Sequence, residues 1–392
     1  MRVITSAAAL AAEVGDALGE AIRVRARESE PGWVRVQVEW HDEAHPLVLD
    51  VLASTAATPS RVLYMLPGGG LNFAGNFFTP RHNNLAHFMR RHGYLVVGVT
   101  PREDSLTPAT NEPAAQDWGL AKHRQDLSKV VTALGQGLHL PYDVLGHSAG
   151  GVLALAYAAT ASQRLGRVMV LDTTGPFDPL AEPELRGRAG QARDTLTGML
   201  ADSTYIQDAA SGTKRLLKNA IERPSERSPL DRPQSVGGGQ YTWAGRLHFA
   251  LIHTRETPGI AHWIYEPGLV AGTYTYGPDA ARDTFTFQHT RVPTITEAFA
   301  QLGSGGLPTA LLRDLFSVWT GDTGLIDFGA IGAEVVWVNM ALGRGDHPYG
   351  ARLIEEGGNP HVTFTVVPGY GHGDPVWGGN AAHDIWPLFF RS

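Results

Sequence analysis

A serine lies between two glycines in the stretch Tyr142–Ala159, where a short apolar segment gives way to a helical apolar pattern. Ser148 comes two residues after Gly146 and two residues before Gly150. A nucleophilic serine on a sharp strand-to-helix turn tolerates only very small residues at these two positions. An ordinary helix N-cap is the alternative, because serine is also favoured there. Since a strand pattern and a helix pattern flank the motif, we predict Ser148 to be a nucleophile.

A run of three glycines could supply the backbone N–H groups that such a nucleophile needs. The run Gly68–Gly70 directly follows an apolar segment, upstream of the serine. Glycine lets N–H groups approach a substrate without a Cβ atom in the way, and the residue after the nucleophile supplies a further donor. We predict an oxyanion hole formed by Gly69, Gly70 and Ala149, with Leu71 as the alternative if the turn is shifted by one residue. The competing interpretation is an ordinary flexible loop.

A nucleophilic serine also needs a histidine as its base. His372 lies in a glycine-rich loop after the apolar segment 362–367, the last strand pattern of the chain. Among sixteen histidines, it is the one that combines this chain order with a strand end. His147 lies beside the nucleophile, but a side chain at that motif position points the wrong way to act as base. We therefore predict His372 to be the general base.

Three carboxylates could orient His372. Asp346 follows the strand pattern 334–340, and the glycines of its loop would give it freedom to point inward. We predict Asp346 for this role. Asp172 is the rival, because it ends another strand pattern and strand ends at this edge of a parallel sheet face one crevice. Asp374 lies too close to the histidine in sequence to orient its ring well.

Alternating helix and strand patterns would position these residues. Segments within 21–54 show the period-2 alternation of antiparallel strands. From 61 onward, short apolar strands alternate with helices, which predicts βαβ units and a parallel sheet covered on both faces. The alternation stops after 175 and resumes at 334, so we predict an insertion the size of a small domain. The predicted division is a core over 1–175 and 330–392 with an insertion over 176–329.

The composition is typical of one large globular domain that carries an insertion. The 392 residues are 43% hydrophobic and 18% charged, with a formal net charge of −7. Because no block is rich in lysine and arginine, we expect a small-molecule substrate and neither a nucleic-acid nor a membrane partner. The chain has no cysteine, which excludes disulfides and thiolate metal sites.

Neither a cofactor nor a metal is predicted. The run Gly68–Gly70 lacks the Lys-Ser/Thr pair of a phosphate-binding loop.

Acidic residues interrupt the N-terminal apolar stretch, unlike a secretory signal, and no apolar run approaches the roughly 20 residues that span a bilayer. We therefore expect a cytoplasmic location.

These motifs together resemble the α/β-hydrolase fold superfamily: Ser148 within G-x-S-x-G, an upstream glycine-rich loop, then an aspartate and a histidine in that order. The resemblance covers the predicted core, and the insertion stands in the place of that family's cap. It implies an α/β fold with a mostly parallel, eight-stranded sheet flanked by helices and a mostly helical cap insertion. This chain offers one further strand candidate near its N-terminus. Pro67 stands where many members have a histidine before the glycines.

The resemblance implies a serine hydrolase that forms an acyl-enzyme on Ser148. Six aromatic residues of the insertion predict a mainly apolar pocket with a few hydroxyl groups, so we expect a carboxylic ester or lactone of a bulky, partly apolar small molecule. An equal alternative is that these residues form the insertion's own core. Alternative functions are an acyltransferase, thioesterase or lyase with the same triad, or a non-catalytic ligand-binding protein. The six residues are Tyr241, Trp243, Trp263, Tyr265, Tyr274 and Tyr276.

Overall fold

A nine-stranded sheet forms the centre of the fold in a computed structural model, which describes residues 3–19, 21–107, 110–161 and 164–391. Six further strands pair two by two outside this sheet. The strands in chain order are β1 (Ile22–Glu30), β2 (Trp33–Trp40), β3 (Leu47–Ser54), β4 (Arg61–Leu66), β5 (Tyr94–Thr100), β6 (Tyr142–His147), β7 (Leu165–Leu171), β8 (Ile206–Asp208), β9 (Arg227–Asp231), β10 (Gln240–Thr242), β11 (Gly272–Thr275), β12 (Thr284–Phe287), β13 (Gly306–Pro308), β14 (Glu334–Met340) and β15 (Val362–Val367).

The central sheet is antiparallel at one side and parallel over the rest. Its strand order is β1-β2-β3-β5-β4-β6-β7-β14-β15. The pairs from β1 to β5 are antiparallel, and every pair from β5 to β15 is parallel. The resemblance implied eight strands, and the sequence offered one further candidate near the N-terminus. That candidate is β1, which joins the sheet at its edge and raises the number to nine.

Helices cover both faces of the parallel part of the sheet. Side chains alternate between the two faces of a strand, so Tyr64 and Leu66 of β4 pack into one hydrophobic cluster while Leu63 and Met65 pack into another. This two-sided burial explains why these strands read as continuous apolar runs. Among the described residues, no helix combines the length and apolarity needed to cross a membrane. The helices are α1 (Ala7–Leu18), α2 (Phe73–Phe77), α3 (Leu85–Arg91), α4 (Leu120–Leu138), α5 (Ala149–Ala158), α6 (Pro183–Ala201), α7 (Ser211–Glu222), α8 (Trp243–Ile252), α9 (Val292–Ala300), α10 (Thr309–Trp319), α11 (Tyr349–Glu356), α12 (Asp374–Trp377) and α13 (Ala381–Asp384).

The segment between β7 and β14 contributes no strand to the central sheet. It contains α6 to α10 and three small sheets, formed by β8 with β13, β9 with β10, and β11 with β12. It packs back on the core, where α9 contacts α2 and α10 contacts α4. The insertion predicted over 176–329 lies within this segment, and its boundaries stay a prediction. That it is a separate domain stays a prediction.

The candidate site residues follow five neighbouring parallel strands at the point where each strand ends. The glycine run follows β4, Ser148 follows β6, and Asp172 follows β7. Arg344 lies in the loop after β14, and His372 lies in the loop after β15. Because these strands are parallel and adjacent in the sheet, their carboxyl ends form one edge, at which ligands bind in open α/β sheets.

Candidate active site

Ser148 occupies a strained turn between β6 and α5. Its φ of 55° and ψ of −122° are unfavourable for a residue that carries a Cβ atom. The turn brings backbone so close that a Cβ atom on Gly146 would lie 2.0 Å from the carbonyl oxygen of Gly150. A Cβ atom on Gly150 would lie 2.1 Å from the carbonyl oxygen of Leu66. The two glycines around Ser148 are therefore a steric requirement of the turn.

His372 donates its Nδ1–H to Oδ2 of Asp172 at 2.6 Å. The pair is buried, with 4% of His372 and 0% of Asp172 exposed to solvent. Burial, followed by the positive charge of Arg344, holds the pKa of His372 well below its usual value of 6.5. A neutral imidazole with its proton on Nδ1 keeps a basic Nε2 nitrogen, which is the form that a general base requires.

Three hydrogen bonds hold the Asp172 carboxylate immediately after β7. Its Oδ1 accepts from the backbone N–H groups of Met340 at 2.6 Å and Arg344 at 3.2 Å, while Oδ2 accepts from His372. Burial raises the pKa of Asp172 to about 6, although these hydrogen bonds and the Arg344 charge oppose the increase. Gly343 leaves the necessary room, since a Cβ atom there would lie 2.2 Å from Oδ2 of Asp172.

Asp346, the carboxylate predicted from the sequence, is not the partner of His372. Its loop folds back on the end of β14, where the N–H groups of Gly343 and Gly345 both bond to the carbonyl oxygen of Met340. This compact turn leaves Asp346 exposed to solvent. The rival candidate, Asp172, holds the histidine instead, so the prediction of Asp346 is corrected to Asp172.

Asp374, the third candidate, anchors the loop that carries the histidine. Its Oδ2 accepts from the N–H groups of Gly371 at 2.7 Å and Ala271 at 2.8 Å. Its Oδ1 accepts from the hydroxyl of Thr290 at 2.6 Å. Because Ala271 and Thr290 belong to the insertion, Asp374 fixes the histidine loop to the insertion.

Arg344 is a buried member of the site that the sequence analysis missed. Its Nη2 donates to Oγ of Ser148 at 3.3 Å, and its backbone N–H bonds to Asp172. Its guanidinium carbon lies 4.7 Å from the ring centre of Tyr265 and 5.9 Å from that of Trp319, within cation–π range. Arg344 therefore joins the nucleophile to the carboxylate that holds the histidine. The available sequence signal was an arginine between two glycines directly after a strand of the parallel sheet.

The glycine run lies against the nucleophile. A Cβ atom on Gly68 would lie 3.2 Å from Cβ of Ser148, and one on Gly69 would lie 3.6 Å from Cβ of Ala149. Two of the predicted oxyanion donors, Gly69 and Ala149, are thus neighbours. The N–H of Ala149 is the first of α5, a position that has no acceptor within its own helix.

Hydrogen bonds within the loop decide which N–H groups are available. The N–H of Gly68 donates to Oδ1 of Asn76 at 2.7 Å, and that of Leu71 donates to the carbonyl oxygen of Gly68 at 3.0 Å. The Leu71 alternative therefore lacks a free donor. Within the part of the chain that the structure describes, the N–H groups of Gly69 and Gly70 donate to no other backbone or side-chain group.

A buried polar chain connects the glycine run to the histidine loop. Asn76 accepts from Gly68, and its Nδ2 donates to Nδ1 of His147 at 3.1 Å. Nε2 of His147 donates to the carbonyl oxygen of His372 at 3.0 Å. Burial, and next the charge of His372, lowers the pKa of His147 to about 3, so this imidazole stays neutral. His147 and Asn76 thus fix the glycine run and the loop of His372 relative to each other, a role that the sequence analysis did not anticipate.

Side chains of the insertion cover the site. A Cβ atom on Gly69 would lie 3.0 Å from a methyl group of Leu307. The ring of Tyr265 packs edge-on against His372, with ring centres 5.2 Å apart. A cavity lined mainly by apolar side chains adjoins Gly69 and Ala149.

Of the six aromatic residues considered for the pocket, Tyr265 contacts the buried cluster around His372. Tyr241, Tyr274 and Tyr276 pack on one another instead, with the hydroxyl oxygens of Tyr241 and Tyr276 2.7 Å apart. Trp263 stacks on Phe316, 5.9 Å between ring centres. These four residues therefore contribute to the insertion's own packing.

Comparison with known proteins agrees with this architecture. A family model described as alpha/beta hydrolase fold matches residues 61–204. A putative lipase from Sulfolobus solfataricus has a TM-score of 0.67 with this chain at 15% sequence identity, over 95% of this chain and 98% of that protein. The chain has the α/β-hydrolase fold. A carboxyl esterase from Bacillus coagulans has a TM-score of 0.46 with this chain at 13% identity, over 90% and 91% of the two chains.

Proposed function

We propose that this α/β-hydrolase is a serine hydrolase that cleaves a carboxylic ester or lactone of a bulky, partly apolar small molecule. The observation that carries the proposal is the 2.6 Å hydrogen bond between His372 and Asp172, buried in the cluster that also holds Ser148. Arg344 bonds to both Ser148 and Asp172, and these contacts support a site that contains the strained serine and the histidine–carboxylate pair.

In the first half of the reaction, Oγ of Ser148 attacks the carbonyl carbon of the ester and its proton passes to Nε2 of His372. The ionised Asp172 keeps the imidazole in the required tautomer and stabilises the imidazolium that forms. The imidazolium then donates the proton to the departing alkoxide, and an acyl-enzyme remains on Ser148. Water attacks the acyl-enzyme in the second half, with His372 again accepting the proton.

The tetrahedral intermediate carries its negative charge on the former carbonyl oxygen. The N–H groups of Gly69, Gly70 and Ala149 are the proposed donors to this oxygen, because Gly69 and Ala149 are neighbours and the glycine N–H groups are not used by the fold. Removing one such donor typically raises the barrier by about 3–4 kcal/mol. The positive end of the α5 dipole adds to the stabilisation.

The insertion, 176–329, is the proposed cap. It supplies Tyr265 and Leu307 to the cover over the site, and the cavity beside Gly69 is mainly apolar. These contacts support a substrate whose apolar part lies in that cavity while its carbonyl group lies at Ser148.

A fluorophosphonate probe and hydrolysis of p-nitrophenyl butyrate test the proposal. The probe is expected to label the wild-type chain, and Ser148→Ala is expected to remove the labelling and lower kcat by about 10⁶-fold. Ser128→Ala is the matched control, because its hydroxyl bonds to the carbonyl oxygen of Arg124 within α4 and to no residue of the site. An unlabelled wild-type chain would instead favour a non-catalytic binding protein.

Product analysis distinguishes hydrolysis from acyl transfer. With an ester substrate and an added alcohol or thiol, a hydrolase gives mainly the free acid. Predominant formation of the new ester or thioester, dependent on Ser148, would assign the chain to the acyltransferases.

A further inference from the structure

Arg344 carries more hydrogen-bond donors than the fold uses. Its side chain has five N–H groups, and only 5% of the residue is exposed. Nη2 bonds to Ser148, but Nε and Nη1 have no hydrogen-bond partner among the described residues. A buried cation with unpaired donors is unfavourable unless something outside the fold pairs with it.

The other buried arginines show what this chain normally does with such a charge. Arg35 pairs with Asp50 at 2.6 Å, Arg102 with Asp126 at 2.8 Å, and Arg232 with Asp283 at 2.9 Å. The guanidinium of Arg344 has no carboxylate partner among residues 3–19, 21–107, 110–161 and 164–391. The nearby Asp172 bonds to two backbone N–H groups and to His372, and it forms no ion pair with the guanidinium.

We propose that Arg344 binds a carboxylate of the substrate, so that the ester cleaved at Ser148 carries a free carboxylate a few bonds from its scissile carbonyl. The inference rests on the proposed function and names its substrate class. A guanidinium is planar and matches a carboxylate with two parallel hydrogen bonds, which makes it the preferred residue for this recognition. Because Nη2 lies 3.3 Å from Oγ of Ser148, a carboxylate bound to Arg344 lies close to the reacting carbonyl.

The aromatic cover over Arg344 fits a binding role. Tyr265 and Trp319 both belong to the insertion, and the guanidinium of Arg344 lies over their rings. These cation–π contacts stabilise the positive charge and leave the N–H donors of Arg344 free. They also exclude water, which strengthens an ion pair formed there. Since Nε and Nη1 are shielded from solvent, we expect Tyr265 to move when the substrate binds.

Two esters of similar length measure the contribution of Arg344. Monoethyl succinate carries the carboxylate and ethyl butyrate lacks it. For Arg344→Gln we expect kcat/KM to fall about 30-fold more with monoethyl succinate than with ethyl butyrate, because the lost contact with Oγ of Ser148 affects both esters and the lost carboxylate contact affects only one. Arg344→Lys is expected to lose less activity than Arg344→Gln, because lysine keeps the positive charge but cannot form the two parallel hydrogen bonds of a guanidinium. Arg352→Gln is the control, since Arg352 is half-exposed on α11 and pairs with Asp178.

The result that overturns the inference is an equal loss on both esters, which would mean that Arg344 acts on the nucleophile or on the fold. A wild-type preference for ethyl butyrate over monoethyl succinate would overturn it as well. Calorimetric binding of monoethyl succinate to Ser148→Ala, compared with Ser148→Ala/Arg344→Gln, separates this inference from the proposed function. If the wild type hydrolyses neither ester but Ser148→Ala binds monoethyl succinate only when Arg344 is present, the carboxylate site is supported and only the proposed chemistry is refuted. No binding in either variant refutes the site.

Discussion

His372 and Asp172 lie 200 residues apart in the chain and 2.6 Å apart in the fold. Asp172 ends β7, and His372 lies in the loop after β15, two strands away across the sheet. Their contact exists because parallel strands deliver all their carboxyl ends to the same edge.

Asp172→Asn should lower kcat about 10⁴-fold, because an amide cannot hold His372 in the tautomer that keeps Nε2 basic. Asp346→Asn is the matched control, as Asp346 is exposed, and it should retain near wild-type turnover. Steady-state hydrolysis of p-nitrophenyl butyrate by the two purified variants makes the comparison. A large loss of kcat in the Asp346 variant with little loss in the Asp172 variant would assign the role of orienting His372 to Asp346.

The activity should decline as the pH falls through about 6. Burial raises the pKa of Asp172 to about 6, so below that pH the carboxyl group becomes neutral and no longer stabilises the imidazolium. The pKa of His372 is held well below 6.5, so the base itself stays neutral over the same range. A pH profile of kcat/KM measures the apparent pKa, which belongs to the interacting pair. If Asp172→Asn kept the same acidic limb, another group would be responsible.

Alanine at Gly146 or Gly150 should destabilise the fold by at least about 3 kcal/mol, because the new Cβ atom would lie about 2 Å from a carbonyl oxygen. Gly135→Ala is the control. Gly135 lies within α4 with no other group near the position of a Cβ atom, so alanine should raise stability by up to about 1 kcal/mol. Thermal or urea unfolding measures both changes. Wild-type stability in the Gly150 variant would show that the turn is less tight than described.

The buried pair of His123 and Glu103, in the wall of the apolar cavity, should make stability depend on pH. Burial lowers the pKa of His123, but the charge and hydrogen bond of Glu103 outweigh it and raise the pKa to about 9. A folded-state pKa above the unfolded value contributes stability that is complete below about pH 6.5 and is lost as the pH rises through about 9.

The measurement for this pair is the free energy of unfolding of the wild type and of His123→Gln from pH 6 to pH 10. The difference between the two should be a few kcal/mol at pH 6 and should shrink toward pH 9 and above. His361→Gln, at an exposed position, should show no such trend. A difference that stays constant or grows with pH would mean that His123 is not charged in the folded chain.

Local features of the sequence were sufficient for those parts of the site that depend on short-range geometry. The strand, the helix and the two glycines around Ser148 specify a turn whose steric demands involve only adjacent backbone. The same holds for the glycine run after β4. The order of strand and helix patterns predicted a parallel sheet covered on both faces, and the resemblance of the motifs to the α/β-hydrolase superfamily implied that fold, which the comparisons confirm.

The tertiary structure alone decided between carboxylates and revealed Arg344. Asp346 and Asp172 both follow strands of one parallel edge, so their sequence context is equivalent. The choice depends on the backbone hydrogen bonds at the end of β14, which fold the loop so that Arg344 points inward and Asp346 outward. Tyr265 and Trp319 reach Arg344 from the insertion, across the fold. Such contacts between distant segments depend on the path of each loop in space, which residue types and spacing do not specify.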